Sequence, residues 1–137
     1  MTVFRIAAAC LLDAQGRLLL VRKRGTRAFM LPGGKHEPGE SALEAVLREL
    51  SEEIELSLPA EALDYLGRFQ APAANEPDCR VDADVFCARL LHPVRPAAEL
   101  EELAWLDPGS PLPDNLAPLL REQVLPVLQR HLEAETA

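Results

Sequence analysis

The segment RELSEEIEL, residues 48–56, carries four glutamates, and Glu49, Glu52 and Glu53 stand at helical spacing. Each residue of an α-helix turns by about 100°, so with Glu49 at 0° Glu52 falls at about −60° and Glu53 at about +40°. Three carboxylates therefore share one arc. Left unpartnered, like charges this close raise one another's pKa or weaken the helix. A hard divalent cation removes that penalty, because Mg²⁺ and Mn²⁺ prefer oxygen ligands and keep places for water and phosphate oxygens. Arg48 is a second source of positive charge, four residues from Glu44 and from Glu52. A solvated face is the ordinary fate of an acidic triplet. The stretch ahead of it, LPGGKHEPGE (31–40), argues for more: a glycine turn exposes backbone, and Glu40 brings another carboxylate to the start of the same helix.

The element that must position these groups begins at Ser41, with Glu44 three residues later in the capping-box pattern. Leu43, Val46, Leu47, Leu50 and Ile54 form one apolar stripe, centred at about +115° on the same wheel, beside the carboxylates and not under them. Pro59 disfavours helix at Leu58, so the helix ends near residues 55–57. Two prolines and three glycines leave 31–40 a loop without regular structure. Upstream, residues 3–12 and 17–23 read as strands joined by a polar turn at Gly16. Downstream, 63–70 and 79–90 read as strands, and 100–106 as a short strand or a helical turn. Asn115 caps an amphipathic tail helix over 116–135, which Pro126 kinks or splits. Strands on both sides of a helix, with a second helix at the end, give an α/β domain with a mixed sheet.

The totals limit what such a site could serve. The chain has 137 residues, enough for one domain over 1–137, with 48% hydrophobic and 26% charged residues. A net charge of −8 excludes a general nucleic-acid binder or an anionic-membrane binder, which would need a basic face. A small phosphorylated partner is compatible, provided a cation or a local basic cluster meets the phosphates. Cys10, Cys79 and Cys87 form no CxxC pair, which suits a reducing cytoplasm. The N-terminal apolar run is too short and too interrupted for a processed signal, and no stretch is long enough to span a bilayer.

Residues 34–56, GKHEPGESALEAVLRELSEEIEL, resemble the Nudix box. Gly34, Glu40, Arg48, Glu49, Leu50, Glu52, Glu53 and Leu56 stand at the required spacing, and Glu55 replaces the pattern's second glycine. Glutamate there must either adopt the left-handed conformation that glycine adopts freely or end the helix differently. The preceding LPGGK and the acidic run AELEELAW (98–105) also look like parts of a Nudix domain.

The resemblance implies a Nudix-type α/β/α sandwich around a mixed central sheet, and an Mg²⁺- or Mn²⁺-dependent pyrophosphohydrolase. Its substrate would be a small nucleotide, a nucleoside diphosphate linked to another moiety X, cleaved by water attack at phosphorus. Glu49, Glu52 and Glu53 would carry the metal, with the carbonyl near Gly33 as a further ligand. Arg48 would orient Glu49 or another carboxylate of the box, and Glu40 would support the metal shell. The general base stays open among Glu53, Glu52, Glu76, Glu99 and Glu102. Arg22, Lys23, Arg24, Arg27 and Lys35, with His36, are candidates for phosphate contact. Phe29 and Phe69 could stack on a base, although the core reading is favoured for both, and Trp105 reads as core. Nudix hydrolases are often dimers, so a homodimer is compatible with the resemblance. The alternative, kept alive by Glu55, is a catalytically silent nucleotide-binding module.

Overall fold

A computed structural model describes residues 1–136. The first apolar run is β1 (Thr2–Leu12), and a tight turn leads into β2 (Leu18–Lys23). Then follow β3 (Gly33–Lys35), α1 (Ala42–Ile54), β4 (Asp64–Pro72), β5 (Cys79–Arg89), β6 (Leu100–Leu106) and α2 (Leu125–Thr136). The sheet runs β4-β5-β1-β2-β6, with β3 also paired to β1. β1 and β5 are parallel from Thr2↔Cys79 to Leu12↔Arg89, and the other pairings are antiparallel, so the sheet is mixed.

β1 and β2 meet at Leu12↔Leu18 and then splay apart. The segment expected to lack regular structure fills that fork. Met30 bridges Val21, the Ala9 N–H donates to the Pro32 carbonyl at 3.0 Å, and β3 pairs with the first half of β1. The expectation of an irregular 31–40 is thus corrected at 33–35. Gly33, at φ 151°, lies so close to β1 that a Cβ would sit 2.2 Å from the Ala7 carbonyl oxygen. The residue type that disfavours strands elsewhere is what admits this one.

Alternation along β1 divides the core. Ala7, Ala9 and Leu11 face α1, meeting Val46, Leu50 and Ile54, whereas Ala8 and Cys10 face Leu120, Val124, Leu125 and Leu128 on the opposite side. The result is the expected α/β/α sandwich. On the α1 side of β5, Asp82 and Asp84 are buried. Arg68 donates to both oxygens of Asp82, Arg5 donates to Asp84 at 2.9 Å, and the Tyr65 hydroxyl donates to Asp84 at 2.6 Å. Their burial is tolerable because each is paired and hydrogen-bonded. All three cysteines are free. Among the described residues no helix is long and apolar enough to cross a membrane.

Residues 100–106 are a strand, which settles the open alternative. Two expectations fail in the last third of the chain. Asn115 does not cap the tail: its carbonyl accepts from the Phe29 N–H, Leu116 bridges Phe29, and the helical hydrogen bonding starts beyond them. The first helical stretch, Leu119–Val124, is π-helical, and α2 follows it directly. This wide turn accommodates Pro126, which has no N–H to donate. Trp105 is 41% exposed and not core, because β6 is an edge strand; the Arg17 guanidinium stacks on its ring at 5.4 Å.

Candidate active site

α1 starts as the sequence indicates. The Ser41 side chain accepts from the Glu44 N–H, and the Glu44 carboxylate accepts from the Ser41 N–H. Its C-terminus is set by Glu55, at φ 55° and ψ 36°, whose N–H donates to the Leu50 carbonyl along with that of Leu56. Glutamate therefore holds the left-handed conformation of the pattern's glycine, at a cost of about 1 kcal/mol. That turn returns Leu56, 3% exposed, to the core. The helix end keeps the geometry that glycine would serve.

The three carboxylates differ in environment as their wheel positions foretell. Glu53, nearest the apolar stripe, is 6% exposed, while the Glu49 and Glu52 side chains are 16% and 54% exposed. The Gly33 N–H donates to Glu53 Oε1 at 2.9 Å. Burial nonetheless pushes the Glu53 carboxyl up to about 7, with Glu49 and Glu99 adding to the shift and the Gly33 bond and Lys23 opposing it. Glu49 lies against Gly34 so closely that a Cβ there would stand 2.6 Å from its carboxylate.

Arg48 ties these groups together. It donates to both oxygens of Glu40, at 2.7 and 2.9 Å, to Glu49 at 2.9 Å, and to the Lys35 carbonyl at 3.0 Å. Glu52 is within 3.4 Å and Glu37 within 3.6 Å. Hydrogen bonding from Arg48 holds the Glu40 carboxyl down at about 2. Glu40 thus acts on Arg48 and fixes its side chain.

Glu49, Glu52 and Glu53 form one wall of a cavity of about 430 Å³. Gly33, Lys35, Glu76 and Glu99 of the sequence-predicted residues also line it. Glu99 arrives on a strained turn: Ala98 is at φ 52°, the Ala97 N–H donates to the Glu53 carbonyl at 2.8 Å, and the Arg24 N–H donates to the Glu99 carbonyl at 2.8 Å. Other candidates are engaged elsewhere. Arg22 donates to Glu102 at 2.7 Å on the paired strands β2 and β6, and Arg24 reaches Glu101 at 3.6 Å; Glu102, Arg22, Arg24, Arg27 and Glu40 do not line the cavity. Of the basic run, Lys23 alone turns inward. The His36 Nε2 atom is buried without a partner among the described residues. Phe4, Met30 and Asn75 also line the cavity. No local signal marked these three, since only the tertiary fold brings them to the carboxylates.

The family model of the NUDIX domain matches residues 3–127. The chain belongs to the NUDIX family. It is 28% identical over 118 residues to "Putative 8-oxo-dGTP diphosphatase" of Bacillus subtilis (strain 168), covering 86% of this chain and 75% of that protein. Its fold is similar to that of the MutT NUDIX hydrolase from Burkholderia pseudomallei, at 26% identity and a TM-score of 0.74, covering 90% of this chain and 99% of that one. It is likewise similar to a MutT/nudix family protein from Enterococcus faecalis, with a TM-score of 0.77 at 20% identity. That match covers 97% of this chain and 63% of the other, so this chain spans less than two thirds of that one. As a Nudix protein the chain is a hydrolase.

Nudix hydrolases are generally dependent on a divalent metal, and the donor set fits one. Among the described residues no three acidic, histidine or cysteine side chains already enclose a metal-sized point. Mg²⁺ does not need such a cage: it binds through one or two carboxylates and keeps its other positions for water and phosphate. The carboxylate of Glu49 is seated where a side chain at Gly34 would intrude. The Glu53 carboxylate, which accepts the Gly33 N–H at Oε1, faces the cavity as well. Both carboxylates are hard oxygen donors facing one cavity.

Proposed function

We propose that this Nudix hydrolase cleaves the phosphoanhydride of a nucleoside diphosphate linked to a second moiety, by water attack at phosphorus. One observation carries the reading: Glu49, Glu52 and Glu53 line a single wall of a cavity whose remaining surface includes the apolar side chains of Ile6, Leu31, Val81 and Leu119. Phosphates belong at the first and the organic part of the substrate at the second. Glu49, Glu52 and Glu53, with the Gly33 carbonyl, would hold Mg²⁺ or Mn²⁺. Such a cation, when bound, neutralises pyrophosphate charge and lowers the pKa of a coordinated water. Arg48 fixes Glu49 through a 2.9 Å hydrogen bond. Lys23 and Lys35, both on the cavity wall, supply the cations that meet the phosphates.

Glu99 is the proton acceptor in this reading. Glu76 is near Lys35 at 3.6 Å, Glu102 holds Arg22 and Glu40 holds Arg48, whereas Glu99 lines the cavity without a basic partner among the described residues. A hydrogen-bonded turn anchors its backbone. The left-handed helix end kept at Glu55 supports this reading over a catalytically silent binding module.

The test is a hydrolysis screen of nucleoside diphosphate sugars, dinucleoside polyphosphates and nucleoside triphosphates, with Mg²⁺ or Mn²⁺. At least one is turned over, and Glu53→Gln slows it by roughly two orders of magnitude or more. Glu99→Gln lowers kcat by at least about tenfold and leaves KM in place. Undiminished turnover in Glu53→Gln, or no turnover by the natural chain, would overturn the proposal.

A further inference from the structure

β3 brings Lys35 opposite Ile6 on β1, and Phe4 lies two residues further along β1 on the same face. The Lys35 ammonium sits over the Phe4 ring, 3.8 Å from its centroid. The same ammonium is 3.6 Å from Glu76, which belongs to the loop joining β4 and β5. Phe4, Lys35 and Glu76 all line the cavity, and Phe4 is the only aromatic side chain among the described residues that do so. The Lys35 and Glu76 side chains are 55% and 47% exposed. Contacts this open are individually weak and readily exchanged.

We propose that Phe4 is the surface on which the substrate's nucleobase stacks, and that Lys35, which covers that ring here, yields the face and turns to the substrate's phosphates. The inference rests on the hydrolase reading above for the kind of ligand, and it specifies what recognises the organic half. A flat ring entering the cavity finds one aromatic face, bordered by Ile6 and Val81. Displaced from that face, the ammonium remains in the cavity that Glu49, Glu52 and Glu53 also line. Phosphates held at the carboxylate wall are therefore its natural new partners, and they are stronger ones than a ring and an exposed carboxylate. The exchange couples the two halves of the ligand, since the base takes the position the cation leaves. Because every base has a π-face, this contact gives affinity for nucleotides in general and leaves discrimination among bases to other groups.

Binding of AMP, adenosine and ribose 5-phosphate to the full chain, followed by NMR titration in buffer containing Mg²⁺, tests this. AMP binds more tightly than ribose 5-phosphate, and its adenine protons shift upfield from the ring current of Phe4. Phe4→Leu weakens AMP by about tenfold, abolishes the upfield shift and leaves ribose 5-phosphate unchanged. Phe4→Tyr keeps AMP affinity, which separates stacking from a loss of fold. In Lys35→Met, adenosine binds at least as tightly as to the natural chain, while AMP loses its advantage over adenosine. The proposal is overturned if AMP does not bind, if Phe4→Leu leaves its affinity and shifts intact, or if Lys35→Met weakens adenosine and AMP alike. These are binding readouts. They succeed or fail independently of whether any anhydride is hydrolysed, so failure here is distinguishable from failure of the hydrolase reading.

Discussion

A buried glutamate proposed to hold the metal should weaken the empty fold, and Glu53→Gln measures by how much. Glu53 is 6% exposed, and its carboxyl is raised from 4.5 to about 7, chiefly by burial. Below about pH 4.5 both the folded and the unfolded chain hold the proton, and the group contributes nothing to the pH dependence. Between about pH 4.5 and 7 the unfolded chain releases it while the folded one retains it, so stability falls as pH rises. Above about pH 7 the penalty is constant, at about 3 kcal/mol for a shift of this size. Glutamine keeps an oxygen for the Gly33 N–H and carries no charge to desolvate. In EDTA, Glu53→Gln should therefore match the natural protein near pH 4.5 and exceed it at pH 8 by roughly 10 °C in Tm. Millimolar Mg²⁺ narrows the gap, because a cation that binds only the folded carboxylate stabilises the natural chain. Differential scanning calorimetry across that pH range, with and without Mg²⁺, gives all four corners. A gap that does not change with pH, or a variant less stable than the natural chain at pH 8 in EDTA, would refute the desolvation argument.

Other substitutions probe the same region. Gly34→Ala places a Cβ 2.6 Å from the Glu49 carboxylate; that side-chain end must shift from its place beside Arg48, so thermal melts should barely move while kcat/KM falls by about tenfold or more. Gly33→Ala meets the Ala7 backbone instead and should lower stability by about 3 kcal/mol, read from the same melts. Glu55→Gly relieves the left-handed glutamate and should raise the unfolding free energy by about 1 kcal/mol, read as a higher denaturant midpoint with an unchanged m-value; a lower midpoint would remove the case for strain. Lys23→Ala should raise KM for an anhydride substrate by about tenfold, whereas Arg22→Ala, on the Glu102 side, should leave it within about twofold.

The helix was legible down to its energetics, because periodicity fixes angles. The wheel placed Glu53 closest to the apolar stripe and Glu52 farthest from it, and the observed exposures follow that order. Ser41 and the strands on either side were legible for similarly local reasons. β3 was not, since GGK has no strand propensity and pairs only because splaying of β1 and β2 leaves an edge free. Asn115 has the right chemistry for a cap, but its carbonyl serves Phe29 across the fold. Charge patterning treated RKRGTR as one cluster. Pairing of β2 with β6 divides it, sending Arg22 to Glu102 and leaving Lys23 at the cavity. Phe4 and Asn75 come to the carboxylates through β1–β3 pairing and the β4–β5 loop, which are contacts that no local window contains.

The π-helical stretch Leu119–Val124 has a meaning for how such a cavity could be redesigned. A π turn holds one residue more than the α turn it replaces, so it behaves as an insertion the helix has absorbed. Deleting one residue inside it would let the tail run on as continuous α-helix, with the flanking turns kept near their present phase. Leu119 and Leu120, which form part of the cavity wall, are the side chains that would be redrawn. Cavity depth on this side is thus governed by chain length, a variable that side-chain replacement alone does not reach.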